Sequence, residues 1–233
     1  MHPTVKAARI AGAIYLLLVV TAPFSLMYVP SKLIVRGNAT ATASNILAHE
    51  MLFRFSIVAD LISTVIFICL GIALYRLLRG VNQTQAWLMV AFVLVSSAVG
   101  FMNVLNNIAA LILFRGGDFL AVFQRPELES MGLLFLRLHD HGIMMDEIFW
   151  GLWLLPFGVL VYQSRFLPRI FGAWLVLNGF AYMALSFTSL LAPQYQGTVY
   201  RIIFPVLFGE MAIMLWLLIR GANVKRLPAT AAA

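Results

Sequence analysis

The chain has 233 residues, 62% of them hydrophobic and 11% charged, against roughly 25% charged in an average soluble domain. A mean hydropathy of +0.94 and apolar runs that recur from end to end exclude a separate water-soluble core. The net charge of +7 would suggest nucleic acid in a soluble protein, but here the basic residues flank apolar runs, so membrane lipid headgroups are the expected partners.

An all-α, six-transmembrane-helix bundle follows, organised as a single transmembrane domain over residues 1–233. Cys69 lies within an apolar run, so the one cysteine makes no intrachain disulfide. The basic start at Lys6 and Arg9 resembles a signal peptide, but the apolar stretch continues without a clean small-x-small cleavage site and reads as span one, residues 8–29. Pro23 is placed to bend it. The segment after it, PSKLIVRGNATATASN, is too polar to cross a membrane. Span two covers residues 49–78 and span three residues 86–114.

Between residues 115 and 138 the chain is mixed. Pro126 followed by Glu127 and Glu129 suits a helix start, and a short interfacial helix is expected there, before span four at residues 142–162. That division puts His139-Asp140-His141 at an elbow. Spans five and six cover residues 168–191 and 199–220. Nine basic residues (Lys6, Arg9, Arg76, Arg79, Arg165, Arg169, Arg220, Lys225 and Arg226) gather at one set of ends, and seven (Lys32, Arg36, Arg54, Arg115, Arg125, Arg137 and Arg201) at the other. The positive-inside rule then predicts a plasma (inner) membrane protein with both termini cytoplasmic.

Residues three, four, seven or eleven apart share a helix face, and five of the six spans carry a polar stripe on this count. Span two aligns His49, Ser56, Asp60 and Ser63; span three aligns Ser96, Gly100, Asn103 and Asn107. Span four aligns His139, Asp146, Trp150 and Trp153, with Glu147 on the neighbouring line. Span five offers Asn178, Tyr182, Ser186 and Ser189, and span six Glu210. Ionisable groups in such surroundings are costly and point to function. Asp60, Asn103, Asn107, Asp146, Glu147, Trp150 and Glu210 are therefore the candidate ligand-binding residues, around a polar cavity open to the extracytoplasmic side. Each also has a plain structural reading: asparagines join helices, and tryptophans fill cores.

Histidines beside carboxylates raise a second chemistry. His49, His139 and His141 with Asp60 or Asp146 would make a zinc-like site that activates water. The spacing argues against it, because residues two apart in a regular helix point about 200° apart. No Gly-rich phosphate loop and no serine-nucleophile motif accompanies these residues.

The pieces RIAG from Arg9, VPSKLIV from Val29, the HE, FR and AD elements between His49 and Asp60, ALYRLL from Ala73, FLRLHDHG from Phe135, FWGLWLLPFG from Phe149 and FLPRIFG from Phe166 resemble a family of bacterial integral membrane proteins, the domain of unknown function DUF4386. The resemblance covers nearly the whole chain. It implies a polytopic membrane protein and assigns neither activity nor functional residues. Three functions stand as expectations: binding or transport of a small or lipid-like ligand, a metal-dependent intramembrane hydrolase, and a structural membrane subunit.

Overall fold

The computed structural model describes residues 2–223. Lys225 and Arg226, two of the basic residues counted for orientation, lie outside the described residues. Among these residues there are helices and turns but no strand, and six helical segments are long and apolar enough to cross a membrane. The all-α polytopic fold is as expected. In lipid the backbone must satisfy its own polar groups, which a helix does within one segment.

Span one begins as α1 (Pro3–Pro23). Pro23 has no N–H to give to the ladder, and the chain answers with a wider, π-type turn at Phe24–Tyr28 before α2 (Val29–Leu33). The polar stretch that follows contains a further helix, α3 (Ala39–Ala48), whose N-cap is Asn38: its side chain accepts from Ala41 N at 2.9 Å. His49 is the C-cap residue. Spans two and three are α4 (Glu50–Leu78) and α5 (Gln83–Arg115).

One expectation is corrected here. The interfacial helix and span four are a single helix, α6 (Arg125–Gln163), of 39 residues and so about 58 Å long. Its start was legible, since Glu127 Oε2 reaches back to Gln124 N at 2.7 Å. The elbow at His139–His141 is absent because nothing there breaks a helix: Gly142 is tolerated at modest cost inside a helix, and hydrocarbon thickness alone does not force a turn. The more C-terminal Pro156 also sits within this helix.

Span five is α7 (Arg169–Leu191). Span six is divided: α8 (Gln196–Ile203) and α9 (Phe208–Ile219) are separated by a turn containing Pro205. Proline inside a helix removes a donor and crowds the preceding turn, so the break has a local cause.

The chain forms two compact units. The first comprises Met1–Val19, Val65–Ser97 and Met144–Ala233; the second comprises Val20–Thr64 and Ala98–Ile143. The first has a core of Tyr15, Leu70, Leu74, Met89, Val93, Trp153, Leu154, Phe157, Leu175 and Leu217. Trp153 is its centre, stacked on Phe157 at 5.3 Å and edge-on to Phe67 at 5.2 Å, so this tryptophan is core packing. The second unit's core includes Val29, Ile46, Phe53, Val104, Phe114 and Leu136.

Within the first unit α6 and α7 touch backbone to backbone. A Cβ added at Gly151 would lie 2.5 Å from the carbonyl oxygen of Gly179, and one at Gly179 would lie 2.8 Å from that of Gly151. The same holds one heptad along: a Cβ at Gly158 would meet Gly172 O at 2.7 Å, and one at Gly172 would meet Gly158 O at 2.6 Å. Pairing in reversed order makes the helices antiparallel. Lipid supplies no hydrophobic force between helices, so close approach through small residues and van der Waals contact must hold them. Gly158→Ala should therefore lower the thermal unfolding midpoint of the purified protein, by the equivalent of about 1–3 kcal/mol. An unchanged midpoint in the Gly151→Ala/Gly158→Ala double variant would remove the glycine contact as a determinant of this pairing.

Candidate functional site

The candidate residues fall into two groups, one in each unit. Asp60, Asn103, Asn107 and the three histidines belong to the second unit, while Asp146, Glu147, Trp150 and Glu210 belong to the first.

In the second unit, His139 is 7% exposed and its Nε2 lies 3.3 Å from Asp60 Oδ2. The Asn103 amide donates to the His139 carbonyl at 2.9 Å and its Oδ1 accepts from Asn106 at 3.0 Å. Gly142 makes room for that amide, since a Cβ there would lie 2.1 Å from Asn103 Oδ1. Asn107, His139 and Asp140 line a cavity of about 20 Å³ with Ser25, Ser56 and Phe53, which holds about one water. His49 and His141 are exposed. The structure does not gather the three histidines, and among the described residues no three His, Cys, Asp or Glu side chains are placed to share a metal ion.

Two nearby acids, Glu50 and Glu129, are paired. Glu50 Oε1 takes Arg54 at 2.7 Å and Arg115 at 3.5 Å. Glu129 takes Arg125 at 3.0 Å and the Thr40 hydroxyl at 2.7 Å. Half-exposed pairs of this kind contribute little to stability and explain these charges without a ligand. The serines of span two are likewise occupied locally, Ser56 donating to Phe53 O and Ser63 to Ala59 O, each at 2.7 Å.

The first unit is different. Asp146 Oδ2 accepts from Ser96 Oγ and from Trp150 Nε1, both at 2.9 Å. Trp150 stands edge-on to Tyr182 at 5.8 Å, and Tyr182 lies within electrostatic reach of Glu210. The Tyr15 hydroxyl donates to Glu210 Oε2. Glu147 interacts electrostatically with Tyr182, and its Oε2 is shielded from solvent with no hydrogen-bond partner. Among the described residues neither Glu147 nor Glu210 makes an ion pair. Carboxylates from α6 and α9 thus lie among aromatic residues and neutral hydroxyls, with a tyrosine as hydrogen-bond donor to Glu210.

Periodicity found Asp146, Glu147, Trp150, Tyr182 and Glu210. It missed Tyr15, whose signal was a lone phenol deep in an aliphatic run, where its hydroxyl needs a partner.

A family model described as Domain of unknown function (DUF4386) matches residues 10–221. An uncharacterized protein of Archaeoglobus fulgidus is 27% identical over 176 residues, covering 76% of this chain and 90% of that protein. The likeness therefore reaches an archaeon. No solved structure matches the chain.

The second unit's network supports a thermodynamic prediction. Asn103→Ala and Gly142→Ala should each destabilise the protein, the first by removing the amide bond to α6 and the second by driving that amide out of place. Because both act on one contact, the double variant should lose less than the sum, with a coupling of about 0.5–2 kcal/mol. Strict additivity in thermal or denaturant unfolding would dissociate the two residues.

Proposed function

We propose, from the premise that the chain belongs to the family described as Domain of unknown function (DUF4386), that this multi-pass membrane protein binds or transports a small organic cation. The observation that carries the reading is Glu147: a carboxylate within a membrane-spanning helix, one oxygen buried and unpartnered, no basic residue paired with it among the described residues, and Trp150 one turn away on the same helix. A carboxylate beside aromatic rings is the chemistry that recognises an ammonium group, by charge and by cation–π attraction of about 0.5–2 kcal/mol. Trp150 and Tyr182 supply the rings. An amine-bearing lipid headgroup and a free amine share this chemistry.

A screen of tetraethylammonium, ethanolamine and spermidine against the purified protein, read as thermal unfolding midpoint, tests it. At least one probe should raise the midpoint in wild type, and Glu147→Gln, folded by size-exclusion profile, should lose that increment. If no cationic probe shifts the wild type, or Glu147→Gln keeps the shift, the reading fails. Sonicated vesicles containing phosphatidylethanolamine as competitor separate a headgroup from a free amine.

The excess of basic residues counted along the sequence, nine against seven with Lys225 and Arg226 included, supports a plasma-membrane protein with both termini cytoplasmic. A fluorescent protein fused to the C-terminus should fluoresce in cells, whereas alkaline phosphatase at the same point should be inactive. The opposite pattern would invert the topology.

A further inference from the structure

We infer that the break in span six is a binding site for a sodium-sized monovalent cation, held by the Glu210 carboxylate, the Asn178 side-chain oxygen and the Tyr182 hydroxyl. This goes beyond the organic-cation reading and rests on a different carboxylate.

The break comes from Pro205, and the turn it makes is closed by short backbone bonds such as Gly209 N to Val206 O at 3.1 Å, while its carbonyls also face α7. Two are met by side chains of α7 one helical turn apart: Trp174 Nε1 donates to Val206 O at 2.9 Å, and Asn178 Nδ2 donates to Leu207 O at 3.4 Å. Asn178 is fully buried, and its Oδ1 has no hydrogen-bond partner. The amide cannot be turned to relieve this, because the exchange would set two oxygens against each other at Leu207. An acceptor is therefore held at the break with nothing to accept from. Two turns along α7, fully buried Ser186 leaves its hydroxyl oxygen equally unpartnered.

Glu210 follows in the first turn of α9. Its carboxylate already accepts from Tyr15 and lies within electrostatic reach of Tyr182, so both phenol oxygens keep lone pairs, and no cationic side chain pairs with it among the described residues. The start of α9 favours a negative charge there through the helix dipole, and an ionised carboxylate at this depth calls for one balancing positive charge. The donors available are all oxygens: carboxylate, amide and phenol. Oxygen-only sets suit hard cations rather than transition metals, and one carboxylate balances one positive charge. Interrupted membrane helices recur as ion sites because their free ends and unwound backbone offer oxygen ligands at membrane depth.

The test replaces potassium chloride stepwise by sodium chloride at constant chloride, with no amine present, and follows thermal unfolding of the full-length protein in detergent. Sodium should raise the midpoint by several degrees and saturate, and Glu210→Gln and Asn178→Leu should abolish the increment. Should either variant fold poorly, sodium NMR of the wild-type protein reads the site directly: the resonance should broaden with protein and sharpen on adding lithium as competitor. A flat titration without line broadening would mean that water alone fills the break and would overturn the inference, as would a sodium increment that survives in both folded variants. Since the amine screen and the sodium titration use different ligands and different acids, either proposal fails without the other.

Discussion

The register of α6 against α7 is set by backbone, and the chemistry of the first unit hangs on that register. Gly151 and Gly179 admit each other's carbonyls, and Gly158 and Gly172 repeat the contact a heptad away. Gly151 adjoins Trp150 and Gly179 adjoins Asn178 in sequence. Fixing these pairs brings Trp150 edge-on to Tyr182 and leaves Asn178 to reach Leu207. Side chains of ordinary size would hold such helices 8–10 Å apart by interdigitation; four absent side chains replace a soft contact with a hard one.

Against that scaffold the polar residues divide by what occupies them. Hydroxyls on regular helix bond the carbonyl three or four residues back, as Ser97 does to Val93 O and Ser189 to Leu185 O, and ask nothing of a ligand. Arginines at the ends of α4, α5 and α6 meet Glu50 and Glu129. Among the described residues, Glu147 on α6 and Glu210 on α9, each within electrostatic reach of Tyr182, make no ion pair. Buried polar groups without partners are uncommon in native proteins, and Glu147 Oε2, Asn178 Oδ1 and Ser186 Oγ, all in the first unit, are such groups.

Most of the fold was legible because hydropathy is a long-range, additive signal: six apolar runs of span length become six membrane-capable helices. Two features were not. The continuity of α6 depends on the absence of a breaker before Gly142, whereas the mixed composition of residues 115–138 pointed to a separate interfacial helix and an elbow. The break in span six was hidden because Pro205 stands in an apolar run that composition alone cannot distinguish from an unbroken one. In the site, face periodicity located Glu147, Trp150 and Glu210 but grouped Asp60 with them, though Asp60 and its partner His139 belong to the other unit. Which stripes converge is decided by helix packing, and packing here is written in the positions of glycines rather than in those of polar residues.

Asn103 and Gly142 form a lock in which one residue's size is the other's permission. A side chain at position 142 is excluded while an amide stands at 103, and a smaller residue at 103 would leave the space beside the helix empty. A change of size at either position is therefore felt at the other, and the volume they share ties the local geometry of α5 to that of α6.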